Sequence, residues 1–167
     1  MAPSRDDRFN DLVRQLSPAI GGYLGRRLYP LTRADLDDLV EETLTILWRR
    51  LDDVPGDAAL AWALGVARNV LRNAHRAYYR RHNYEGQLRS RGADASAEDR
   101  VIADEGVRDA LARLSDEDRE ILLLHVWDGL NANALGQTLL ISSNAAAVRL
   151  SRAQAKFKEH FNEVVVP

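Results

Sequence analysis

Apolar residues in this chain recur at steps of three and four, and the alternation expected of strands is nearly absent. Leu36, Leu39/Val40, Thr43 and Ile46/Leu47 form one such stripe, and Leu60, Leu64, Ala67, Leu71, Ala74 and Tyr78 form another. Helix start signals stand nearby. Thr32 with Asp35 and Ser115 with Asp118 have capping-box spacing, Ser17-Pro18 reads as an N-cap and first helical position, and Asp57 after Pro55-Gly56 opens a further helix. The pattern predicts an all-α protein. It lapses over about 82–97 (HNYEGQLRSRGADASA), where Gly, Ser and polar residues leave little to bury. That stretch reads as a flexible linker joining two small helical domains, 1–81 and 98–167, of about four helices each.

Near the end of the second domain the pattern has the layout of a helix-turn-helix. A short helix over about 131–139 is followed by a turn through Leu140-Ile141, then by Ser142 as N-cap of a longer helix reaching about Phe161. Ala146, Leu150, Ala153 and Phe157 fall on the inward side of that helix. Ser143, Asn144, Ala147, Val148 and Ser151 fall on the outward side, with Arg149 and Arg152 flanking. Asn pairs bidentately with adenine, alanine meets a thymine methyl, and arginine holds phosphate or guanine.

Charge sharpens this picture. With 23 Lys+Arg against 25 Asp+Glu the chain is close to neutral, which by itself argues against a nucleic-acid partner. Its distribution argues the other way. Ala58–Tyr84 and Gly129–Lys158 contain no acid at all, while Asp94–Asp128 carries eleven carboxylates against four arginines. In the first acid-free stretch Arg68, Arg72, Arg76 and Arg80 recur every fourth residue with no acidic partner at i±4, and Arg81 adds to them. Asn69, Asn73, His75, Tyr78 and Tyr79 lie among them as candidates for base contacts and stacking. An ordinary solvated face is the plain alternative, and 21 arginines among 23 cations are equally expected of a GC-rich genome. Upstream, Asp35, Asp38 and Glu42, with Glu41 beside them, make an acidic stripe that either faces solvent or docks on a basic protein surface.

The chain has no cysteine, hence no disulfide frame or thiolate metal site, and a reducing cytoplasm is its natural setting. MAPSRDDRFN lacks the apolar core of a signal peptide, and no apolar run approaches the roughly 20 residues that cross a bilayer. No membrane insertion, metal or cofactor is expected.

In combination these residues resemble the extracytoplasmic-function type of bacterial sigma factor. Asp38-Leu39-Val40-Glu41-Glu42-Thr43 followed by Leu47-Trp48 is similar to the family's core-polymerase-binding signature. Trp62 with Val66-Ala67-Arg68-Asn69 resembles the opening of its −10 promoter helix. Leu111 to Leu114, Asp118 to Leu124, Gly129-Leu130, Ile141-Ser142, Val148-Arg149-Leu150 and Arg152-Ala153 resemble its −35-binding domain. The departures lie in the helix-turn-helix: the family usually has glutamate near Asn133-Ala134, glycine at Leu140, and valine and a basic residue at Ala146 and Ala147.

The resemblance implies a two-domain initiation factor that brings core RNA polymerase to promoter DNA and helps open it, with room for an anti-sigma factor as a further partner. Asp35, Asp38, Leu39, Glu41 and Glu42 would bind polymerase. Arg68, Arg72, Arg76, Arg80 and their neighbours would bind the −10 element, with Asp52, Asp53, Val54, Pro55, Gly56 and Asp57 as a loop capturing an unstacked base, and the C-terminal helix would read the −35 element. A linker of about fifteen residues extends to about 50 Å, enough with the domains themselves to hold both elements. The competing reading is a stand-alone regulator whose helix-turn-helix binds an operator as a dimer.

Overall fold

Ser4 opens the first helix. Its hydroxyl accepts from the Asp7 N–H at 3.1 Å, and the Asp7 carboxylate accepts in return from the Ser4 N–H and hydroxyl, a reciprocal cap for α1, Arg5–Arg26. The computed structural model describes residues 1–82 and 104–165, so nearly all of the expected linker lies outside the described residues. The helix start expected at Ser17-Pro18 is not there, because α1 continues through Pro18. Pro18 is exposed, so the Arg14 carbonyl that loses its donor stays within reach of water, while the flanking Leu16 and Ile20 are buried. Their burial offsets the roughly 3 kcal/mol that an internal proline costs.

Thr32 and Asp35 make the expected capping box for α2, Arg33–Arg49. A single 3-10 turn, Leu51–Asp53, leads to α3, Ala59–His82, which starts two residues after the expected Asp57. The buried face of α3 includes Ala59, Ala63, Leu64, Ala67, Val70 and Leu71. Small alanines let α1 and α2 approach it closely, and the three helices pack pairwise. This half has three α-helices among the described residues, one fewer than the pattern predicts, because Pro18 does not divide α1.

The chain separates into two compact units, Met1–Arg91 and Gly92–Pro167. In the second, Asp104 caps α4 (Glu105–Ala112), Ser115 caps α5 (Asp116–Val126) and Asn131 caps α6 (Ala132–Leu139). The Ser142 hydroxyl accepts from the Ala145 N–H at 3.0 Å and begins α7, Ser143–Val165, which packs against all three. Leu111, Leu114, Leu122 and Leu123 form its core, closed by Trp127, Leu150 and Phe157. No strand occurs among the described residues, and α6, turn and α7 form the helix-turn-helix.

That turn has two backbone constraints. Leu140 lies in the left-handed region at φ 57° and ψ 44°, with its side chain 86% exposed. A branched L residue there costs about 1–2 kcal/mol relative to glycine. Gly136 accepts from the Leu140 and Ile141 N–H groups, and a Cβ on it would stand 2.7 Å from the Ile141 carbonyl oxygen. Only glycine permits so close an approach.

Candidate functional site

The acidic stripe on α2 divides into two kinds of residue. Asp38, Glu41 and Glu42 are exposed and, with Thr45 and Arg49, line a shallow, open groove along the helix. Asp35 is committed to its own helix: one carboxylate oxygen accepts from the Thr32 N–H at 2.7 Å and the Thr32 hydroxyl at 2.8 Å. Those bonds, aided by the nearby Arg81 charge, hold its pKa below the ordinary carboxylate value. Leu39 is 4% exposed and belongs to the core. Its side chain is not available to a partner, and it fixes the helix that carries the exposed carboxylates.

The segment from Asp52 to Asp57 is likewise divided. Val54 is 4% exposed, so its side chain is an interior anchor and not a contact to a base. Asp52 pairs with Arg5 at 3.1 Å and lies 4.0 Å from Arg8, and Asp53 pairs with Arg50 at 3.0 Å. The Arg50 guanidinium lies over the Trp62 ring at 5.4 Å, linking this segment to the start of α3. Gly56 and Asp57 are exposed and Pro55 is half-buried, which leaves the accessible tip at 55–57.

Along α3, Asn69, Arg72, Asn73, Arg76, Arg80 and Arg81 are exposed, while Arg68, His75, Tyr78 and Tyr79 are half-buried. Arg72, Arg76 and Arg80 make no ion pair among the described residues, and successive members lie about 6 Å apart along the axis. A row of like charges without carboxylates attracts an external anion, and a phosphate backbone is the polyanion that suits it. Tyr78 stacks on His82 with centroids 4.0 Å apart and meets Tyr79 edge-on at 5.6 Å, so the aromatic surface at the end of α3 is built by side chains that brace one another.

On α7, Ser143, Asn144, Ala147, Val148, Ser151 and Arg152 are exposed, and Ala146 and Ala153 are buried beneath them. Arg149 is half-buried. The Lys156 amine donates to the Asp118 carboxylate at 2.6 Å, joining α7 to the start of α5. That bond, assisted by the Ser115 hydroxyl and by the charges of Lys156 and Arg149, lowers the Asp118 pKa against the opposing effect of burial. The Lys156 amine is therefore committed to a carboxylate of the same unit.

Three participants escaped the sequence reading. Arg5 and Arg8 reach the 52–54 segment across more than forty residues of chain, and no periodicity signals such a contact. Gly136 left a trace, as an isolated glycine inside a helical pattern ahead of a turn. No cluster of His, Cys, Asp or Glu able to hold a metal occurs among the described residues, and no helix there is long and apolar enough to cross a membrane.

Comparison with known proteins identifies the two units. The family model Sigma-70 region 2 matches residues 12–81, and Sigma-70, region 4 matches residues 104–157. The RNA polymerase sigma factor CarQ of Myxococcus xanthus is 28% identical over 163 residues, covering 95% of this chain and 91% of the relative. The ECF RNA polymerase sigma factor SigD of Mycobacterium tuberculosis is 30% identical over 160 residues, covering 89% of this chain and 74% of SigD. Among solved structures, the sigma factor RpoE of Bartonella quintana, in complex with the anti-sigma factor NepR, superposes with a TM-score of 0.64 at 20% identity, covering 92% of this chain and 96% of that one. CnrH, solved with the cytosolic domain of CnrY, superposes with a TM-score of 0.59 at 22% identity over 93% of this chain and 88% of CnrH. These two share the fold.

Proposed function

Because the chain belongs to the extracytoplasmic-function (ECF) sigma factors, initiation factors that bind core RNA polymerase and recognise promoters, we propose that its surfaces divide that work as follows. The groove of Asp38, Glu41 and Glu42 on α2 docks on a basic surface of core polymerase. Arg72, Arg76, Arg80 and Arg81 hold phosphates at the −10 element, with Arg68, Asn69, Asn73, His75 and Tyr79 beside the bases. The 52–57 segment receives an unstacked base through its tip, Pro55, Gly56 and Asp57. Flipping a base costs only a few kcal/mol, which such contacts can supply. On α7, Ser143, Asn144, Ala147, Val148 and Ser151 enter the major groove at the −35 element, and Arg149 and Arg152 flank them.

We take residues 1–81 and 98–167 as the two functional domains and 82–97 as their linker. The protein contributes promoter choice and no catalytic group of its own, since polymerase performs the chemistry. It works in the cytoplasm, and an anti-sigma factor is a further partner, by analogy with the complex in which RpoE was solved.

One observation carries this reading: a single small unit presents an exposed acidic groove on α2 and an exposed arginine row on α3. An operator-binding dimer has no use for the first. Purified protein mixed with core polymerase should co-elute with it and support run-off transcription from genomic fragments. Failure to co-elute, together with dimeric binding to a palindromic site, would restore the regulator reading.

A further inference from the structure

We propose that the first turn of α1 is a brace that positions the base-capture segment, with Arg5 and Arg8 as its two struts. This rests on the assignment of 52–57 to base capture. Arg5 sends one nitrogen to the Asp52 carboxylate at 3.1 Å and another to the Trp48 carbonyl at 2.9 Å. Trp48 is in the last turn of α2, where carbonyls lack helical donors and the helix dipole is negative, so a guanidinium is well matched to it. Arg8 donates to the Val54 carbonyl at 3.1 Å, beyond the 3-10 turn. One strut thus holds the chain as it enters the 3-10 turn and the other holds it as it leaves the turn, just ahead of the tip at 55–57.

The aromatic contacts make the brace rigid. The Arg5 guanidinium lies 4.9 Å from the Trp48 ring centroid, and Phe9, one turn further along α1, meets the same ring edge-on at 5.1 Å. Below the segment, Leu51 and Val54 are buried, and beside it Arg50 ties Asp53 toward Trp62. An exposed ion pair alone is worth little. Two guanidinium bonds to backbone carbonyls on either side of a short turn do more, because they restrict the backbone whose tip at 55–57 must meet the base. Loss of the brace lowers the fraction of segments in the competent shape, and apparent affinity falls by that fraction.

The test uses full-length protein reconstituted with core polymerase and a promoter the holoenzyme transcribes, prepared as a fork whose −10 bases are single-stranded. Arg5→Ala/Arg8→Ala should bind polymerase as the parent does, bind the fork about tenfold more weakly, and lose base preference at one −10 position. Arg5→Lys/Arg8→Lys, which keeps charge but only one donor group per side chain, should fall between the two. Equal fork affinity, or loss of polymerase binding in step with fork binding, would overturn the brace. Gly56→Ala and Asp57→Ala separate the two ideas. If they weaken fork binding while the arginine pair does not, the brace alone is wrong; if they also leave it unchanged, the capture segment and its brace both fall.

Discussion

The two cationic helices of this sigma factor, α3 and α7, differ in what surrounds their charge. On α3, Arg72, Arg76 and Arg80 are exposed and have no carboxylate partner among the described residues. On α7, Lys156 is bonded to Asp118, Arg149 is half-buried, and the exposed face consists largely of short side chains with Arg152 beside them. The first arrangement suits phosphate binding, which is strong, salt-dependent and blind to sequence. The second suits a close fit in the major groove, where the proposed readout of base edges falls to Asn144, Ala147 and Ser151. The arginine row of α3 should thus supply most of the electrostatic affinity, and α7 should add discrimination at the −35 element.

The largest expected effect concerns polymerase, whose proposed docking face is on the N-terminal unit. Asp38→Lys/Glu42→Lys should weaken core binding by several kcal/mol through like-charge contact while leaving the helical circular dichroism unchanged. Parental co-elution would refute the docking groove. Next in size, Gly136→Ala should destabilise the C-terminal unit by about 2–3 kcal/mol, since the added methyl meets a backbone carbonyl that cannot move aside. Hydrogen exchange should show faster opening in residues 104–165 and none in α1 to α3.

Smaller effects sharpen the contrast between the helices. Arg72→Ala/Arg76→Ala should lower the log–log salt slope of promoter binding by about 0.9 for each phosphate that is no longer neutralised. Lys156→Ala should leave that slope as it is, because the amine is held by Asp118. In a salt titration, a drop in slope from Lys156→Ala as large as that from Arg72→Ala would erase the distinction. Leu140→Gly should raise the stability of the C-terminal unit by about 1 kcal/mol, as strain is relieved and an exposed side chain loses no burial. The Asp118–Lys156 pair should make that unit acid-sensitive. A carboxylate whose folded pKa is depressed stabilises the fold above its unfolded value near 4 and loses that contribution as pH falls through the folded one. Asp118→Asn should flatten the pH dependence of its unfolding below about pH 4.

Much of this was legible in the sequence because it is local. Thr32 with Asp35, Ser115, and Ser142 after its turn mark helix starts by hydrogen bonds that span three residues, and such bonds form wherever the residues stand. Pro18 misled because its local preference is overruled by the burial of Leu16 and Ile20. Leu39 and Val54 misled for a different reason. A family signature marks a segment, and the interior residues that shape a surface stand in the same segment as those that form it. Leu140 took the left-handed backbone of the turn although it is not glycine, so the shape of the turn outweighed the preference of the residue. Arg5 and Arg8 were invisible since their partners lie elsewhere in the chain and only the packing of α1 on α2 brings them together.

The most direct test is run-off transcription with core polymerase from a pool of promoters randomised at both elements, comparing the parent with Asn144→Ala and with Arg72→Ala/Arg76→Ala. The parent should select two separated elements. Asn144→Ala should relax one position of the upstream element, at a cost of about 1–3 kcal/mol, and leave the −10 preference intact. The arginine pair should lower transcription from all promoters alike. Selection of the same upstream bases by Asn144→Ala, or a change of sequence preference from the arginine pair, would contradict the division of labour between the two helices.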